Sequence, residues 1–107
     1  MWLVLCSPAD RAALWAARQL RATSGAVVEL VAPEELLCAR AFEHRVDCHG
    51  RAESRVVLQD GRELCSAAID GVINRLDRLP CASLQAADPA DRVYAEQEWT
   101  ALLLSWL

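Results

Sequence analysis

The stretch that decides the fold is RVVLQDGRELCSAAIDGVINRLDRL, residues 55–79. Asp60-Gly61 lies between two apolar runs, Val56-Val57-Leu58 and Leu64-Cys65, and this dipeptide is the signal of a two-residue type I′ hairpin turn. Such a turn predicts that Val57 pairs with Leu64 on one face while Val56, Leu58 and Cys65 lie on the other. Past the hairpin, Gly71 to Leu76 (GVINRL) reads as an interior strand. The hairpin and this strand are the two halves that the rest of the chain must complete.

Upstream, Trp2 to Cys6 is a short continuous apolar run, as expected of a strand buried on both faces of a parallel sheet. Ser7-Pro8-Ala9-Asp10 then reads as a helix start, with Ser7 as cap, Pro8 at the first helical position and Asp10 at the third. Ala13, Ala16, Ala17 and Leu20 recur at helical spacing, Thr23-Ser24-Gly25 ends the helix, and AVVELV (Ala26–Val31) supplies a second strand. Together these form a βαβ unit. Pro33-Glu34-Glu35 opens a short helix running to near Ala41, His44–Cys48 suggests a further strand, and His49–Ser54 reads as a loop. Downstream, Leu79–Ala87 is a connector containing Pro80, and Asp88-Pro89-Ala90-Asp91 repeats the helix-start signal. The helix it opens carries an apolar stripe of Ala95, Trp99, Leu102, Leu103 and Trp106. The fold class is therefore α/β, a small and mostly parallel sheet with a βαβ start plus a hairpin, flanked by helices.

Composition narrows the function. All eleven basic residues are arginine, and the formal net charge is −4. Without lysine there is no Schiff-base former and no P-loop phosphate ligand, and an acidic balance with no basic stripe argues against nucleic acid as a partner. Five cysteines, at 6, 38, 48, 65 and 81, are odd in number and include no CxxC pair, a usage that suits reduced thiols in the cytoplasm. The opening MWLVLC lacks a basic flank, and the closing residues 101–107 fall short of the roughly 20 apolar residues that span a bilayer, so no membrane is expected.

In order, the SPAD helix start, VVELVAPEEL, the VVLQDGREL hairpin and DGVINRL resemble the N-terminal pre-ATP-grasp domain of ATP-grasp ligases, with the RimK-like amino-acid and peptide ligases as the nearest subgroup. The resemblance implies a pre-ATP-grasp-like domain over residues 1–87 and a linking helix over residues 88–107, leading to an ATP-binding domain that this sequence does not contain. It implies a scaffolding and substrate-side role in a carboxylate-amine ligase, with ATP and Mg²⁺ held by that missing C-terminal ATP-grasp domain and a peptide as possible substrate. Such ligases surround ATP with cationic groups and Mg²⁺ with acidic or amide oxygens. This chain has no lysine and a single asparagine, so no catalytic residue, metal ligand or bound cofactor is assigned to it alone. The other reading is a free-standing α/β binding or adaptor module.

Arg75 and Asn74 are the candidate substrate-binding residues, because they fall near the carboxyl end of the expected central strand, where open α/β sheets place their ligand crevice. Arg75 is suited to a bidentate carboxylate or phosphate contact. Its competing role is a structural ion pair with Asp70, Asp77 or an acid of another domain. Cys38, His44, Cys48 and His49 match no zinc spacing, and Ser7 lacks the glycine-rich surroundings of a nucleophile or phosphate loop. Core packing is the default for at least three of Trp2, Trp15, Trp99 and Trp106. In the last helix Leu104 and Leu107 lie off the main stripe, so Trp99, Leu103, Leu104, Trp106 and Leu107 are expected to form a docking interface, either with a neighbouring domain or with a second copy of the chain.

Overall fold

A computed structural model describes residues 1–76 and 84–106, without the side chains of Leu104 and Trp106. The chain is mixed α/β and divides into two compact units, Met1–Leu76 and Asp77–Leu107. The first contains β1 (Trp2–Leu5), α1 (Arg11–Ser24), β2 (Val28–Val31), α2 (Pro33–Leu37), β3 (Ala41–Val46), β4 (Ala52–Val57), β5 (Glu63–Cys65), a 3-10 turn (Ser66–Ala68) and β6 (Gly71–Asn74). The second contains α3 (Pro89–Trp106). Within the expected connector Leu79–Ala87, residues 79–83, Pro80 and Cys81 among them, lie outside the described residues.

β1 is the middle strand of a parallel sheet ordered β2-β1-β6, with Leu3 opposite both Glu29 and Val72 and Leu5 opposite both Val31 and Asn74. Leu3, Val4 and Leu5 are fully buried, which is why this strand reads as an unbroken apolar run. On one face Val4, Cys6 and Val28 pack with Ala13 and Ala17 of α1, whose small side chains bring the helix close to the sheet. Leu3 and Leu5 alternate to the other face, and Leu36, Val56, Leu58 and Leu64 of α2 and the hairpin are likewise buried. Trp15 is 62% exposed because it lies midway between Ala13 and Ala17 and so faces away from the sheet.

α1 starts three residues later than its sequence suggests. Asp10 is the N-cap, its Oδ1 accepting the Ala13 N–H at 3.0 Å, and Ser7-Pro8-Ala9-Asp10 is a turn closed by the Asp10 N–H on the Ser7 carbonyl at 2.9 Å. Pro8 takes the second position of that turn, which its fixed φ favours as strongly as the first helical position. At the other end Gly25 adopts φ 63 and donates to the Arg21 carbonyl, a left-handed helix stop.

The expectation of one mostly parallel sheet is corrected: β3, β4 and β5 form a separate antiparallel sheet in that order. Short connections force this, since two strands joined by a tight turn can only run antiparallel. The register also differs by one residue, Val56 facing Leu64 and Val57 facing Glu63. Gly61 is left-handed at φ 90 while Asp60 is not, which rules out a type I′ turn. Gly61 N–H instead donates to the Leu58 carbonyl at 3.1 Å and Leu58 N–H to the Arg62 carbonyl at 2.9 Å, a three-residue loop with a glycine bulge. One residue of slip exchanges faces, so Val56, Leu58 and Leu64 are buried together while Cys65 joins the outer face.

Two further boundaries move. α2 ends at Leu37 because the chain extends into β3 at Ala41, with Arg40 N–H donating to the Val57 carbonyl at 2.7 Å. The expected loop 49–54 gives way to strand from Ala52, since Asp47 closes a tight turn by accepting the N–H groups of His49 and Arg51 at 2.8 and 2.9 Å, with Gly50 at φ 77. In α3, Asp88 Oδ1 accepts the Ala90 N–H at 2.9 Å. Leu103 is buried and Ala95, Trp99 and Leu102 are half-buried, as the stripe requires. Leu107 and the side chains of Leu104 and Trp106 are outside the description. No helix among the described residues is long and apolar enough to cross a membrane.

Candidate functional site

The carboxyl ends of β1 and β6 bring together Cys6, Asp10, Asn74 and Arg75. Arg75 continues the ladder past β6, its N–H donating to the Leu5 carbonyl at 2.8 Å, so its side chain starts where the central strand ends. Its Nε donates to Asp10 Oδ2 at 3.2 Å. The pair joins residues 65 apart in sequence and fastens β6 to the cap of α1. Of the partners considered for Arg75, Asp70 instead receives the Met1 amino group at 2.6 Å, and Asp77 lies outside the described residues. Asn74 Oδ1 accepts the Leu76 N–H at 3.0 Å, so this side chain shapes the turn leaving β6.

Electrostatically these groups form one cluster. The Ala13 N–H, and secondarily the Arg75 guanidinium, hold the Asp10 carboxyl below its ordinary range. Burial, reinforced by the Asp10 charge and opposed by Arg75, pushes the Cys6 thiol up. Cys6 thus stays a protonated core thiol rather than a nucleophile. Beside it, Cys6, Pro8, Leu14, Leu30, Val31 and Glu35 line a depression of about 190 Å³ at the ends of β1 and β2. Neither Arg75 nor Asn74 lines this depression.

Two other constellations escape sequence reasoning because each depends on strand register. Arg62, at the end of the hairpin loop, donates to Asp60 Oδ2 at 2.6 Å, to Glu29 Oε2 at 3.2 Å, to the Leu30 carbonyl at 3.1 Å and to Glu35. It ties the antiparallel sheet to β2 and α2. On the outer face of that sheet, Arg55 forks onto Glu63 at 2.6 and 2.9 Å, Arg45 pairs with Glu43 at 3.2 Å, and Cys65 donates to Glu63 at 3.3 Å. Glu43, Arg45, Arg55 and Cys65 border a depression of about 280 Å³. The Arg55 fork lowers the Glu63 carboxyl, and the hydrogen bond to Glu63 raises the Cys65 thiol.

His44 and Ser54 stand directly opposite each other, with Nδ1 to Oγ 2.7 Å, and the Ser54 N–H donates to Ser66 Oγ at 2.9 Å. Ser54 is only 6% exposed, so the arrangement satisfies a buried hydroxyl and offers no accessible nucleophile. The cross-strand distance was legible only once the β3–β4 turn had been placed at Asp47. Among the described residues no three His, Cys, Asp or Glu side chains gather to hold a metal, Cys38, His44, Cys48 and His49 included. No family model matches the chain, and no curated protein or solved structure matches it.

Proposed function

We propose that the chain is a non-catalytic scaffolding and substrate-side domain of an ATP-grasp carboxylate-amine ligase that acts on an amino acid or peptide. The observation that carries this reading is the setting of Arg75. Asp10 engages its Nε and orients the guanidinium, while the two terminal nitrogens have no partner among the described residues. That edge presents two parallel N–H donors, the geometry that a substrate carboxylate accepts. Its place at the carboxyl end of the middle and neighbouring strands is where parallel sheets gather ligands. Lacking lysine and a glycine-rich loop, the chain leaves ATP and Mg²⁺ to a following ATP-grasp domain, which is its partner in this reading. The cytoplasm, with its reduced thiols and ATP, is the compartment this function needs.

Amide-resolved NMR of the full chain tests the reading, using acetyl-alanyl-alanine and its C-terminal amide as probes. The acid should shift the amides of Cys6 to Asp10 and of Asn74 to Leu76, the amide form should not, and Arg75→Gln should abolish the response. Equal shifts with both probes, or shifts confined to other strands, would overturn it. A free-standing α/β binding or adaptor module is the second reading, favoured by the exposed Val93 and Tyr94 of α3.

A further inference from the structure

α3 has two apolar lines. The half-buried one contains Ala95, Trp99, Leu102 and Leu103. The second, on the opposite side of the helix, runs through Ala90, Val93, Tyr94 and Ala101 at i, i+3, i+4 and i+11, interrupted by the polar Gln97 at i+7, all exposed, with Val93 at 54% and Tyr94 at 64%. Helical geometry places Asp91 and Glu98 along one border of this second line and Glu96 along the other, while Arg92 falls on the half-buried side. Within α3, a largely apolar line with carboxylates on both borders and no cation on its side of the helix is complementary to one kind of surface. A second copy of the same line would set carboxylate against carboxylate, a like-charge contact that disfavours self-pairing.

We infer that the outer line of α3 docks an amphipathic helical segment of another protein whose apolar stripe is bordered by Lys or Arg. The apolar side chains supply the contact area, with Tyr94 as its one large anchor, and the acidic borders set orientation and exclude acidic competitors. This surface lies on the side of α3 opposite Trp99 and Leu103, and it does not depend on the ligase reading. A following domain is a different occupant and counts against the inference if it covers Tyr94.

The test is selection from a displayed library of helical 16-residue peptides, varied at both stripe and border positions, against the immobilised full chain. Enriched peptides should carry an apolar i, i+3, i+4, i+7 line bordered by Lys or Arg. Their affinity should fall at least about tenfold with Val93→Ser/Tyr94→Ser, and Glu96→Gln/Glu98→Gln should weaken binding and flatten its salt dependence. Should the first variant lose helicity by circular dichroism, Tyr94→Gln alone serves in its place. No enrichment, enrichment without basic borders, or binding unaffected by the Tyr94 variants would overturn the inference. So would concentration-dependent dimerisation of the parent that Tyr94→Gln abolishes, which would make the occupant a second copy.

Discussion

Arg62 concentrates more structural consequence than any other charged side chain of the first unit, because its acceptors Asp60, Glu29, Leu30 and Glu35 lie on three elements. It is about one-third exposed, so screening discounts each contact, yet truncation would leave Glu29 and Glu35 without their shared cation. Arg62→Ala should lower unfolding stability by about 1–2 kcal/mol, and Arg62→Lys should recover only part of it since a point charge cannot serve three directions. Urea titration of the three proteins measures this. Thiol reactivity separates the cysteines at the same scale. Cys6 is buried with its thiol raised and Cys65 is raised by Glu63, whereas Cys38 and Cys48 are exposed. Limited iodoacetamide at neutral pH should therefore label Cys38 and Cys48 well before Cys6 and Cys65, read by peptide mass spectrometry.

Among the elements, those written in local sequence are found where the sequence puts them, namely the βαβ unit apart from the later start of its helix at Asp10, the Gly25 stop, the Asp88 start of α3 and the strand at Gly71. What the sequence hid is register. Asp60-Gly61 marks a turn, but whether two or three residues form the loop depends on burying Val56, Leu58 and Leu64 together, a tertiary gain of about 1.5–3 kcal/mol per large side chain that outweighs a turn preference. Gly61 at φ 90 is the residue this loop requires, so Gly61→Ala should cost about 1–2 kcal/mol while Gly61→Asn costs less. Gly71 has a different constraint: a methyl there would meet the Trp2 ring at 2.7 Å across the β1–β6 pairing. Gly71→Ala should displace that ring and destabilise by roughly 1–2 kcal/mol, and Trp2→Leu should recover much of the loss in a double-mutant cycle measured by thermal unfolding.

Over the whole molecule, the acid limit of stability follows from carboxylates held by local donors. Asp10, Asp47, Asp60 and Glu63 all lie below their ordinary values of 3.8 for Asp and 4.5 for Glu. A group lowered in the folded state stabilises above its unfolded value and loses that contribution as pH falls through the folded one. Stability should thus be level down to about pH 5 and decline below about pH 4, and Asp60→Asn should make the decline shallower. Position 75 at a strand end was legible from the chain alone, but its partner Asp10 was not, because the pair closes across the first unit between residues 65 apart. The proposed division of labour, with substrate contact here and nucleotide chemistry elsewhere, predicts that calorimetric titration of the full chain with Mg-ATP gives no binding heat up to about millimolar ligand, since the chain offers no lysine and no glycine-rich phosphate loop. Saturable binding with a micromolar Kd would contradict it.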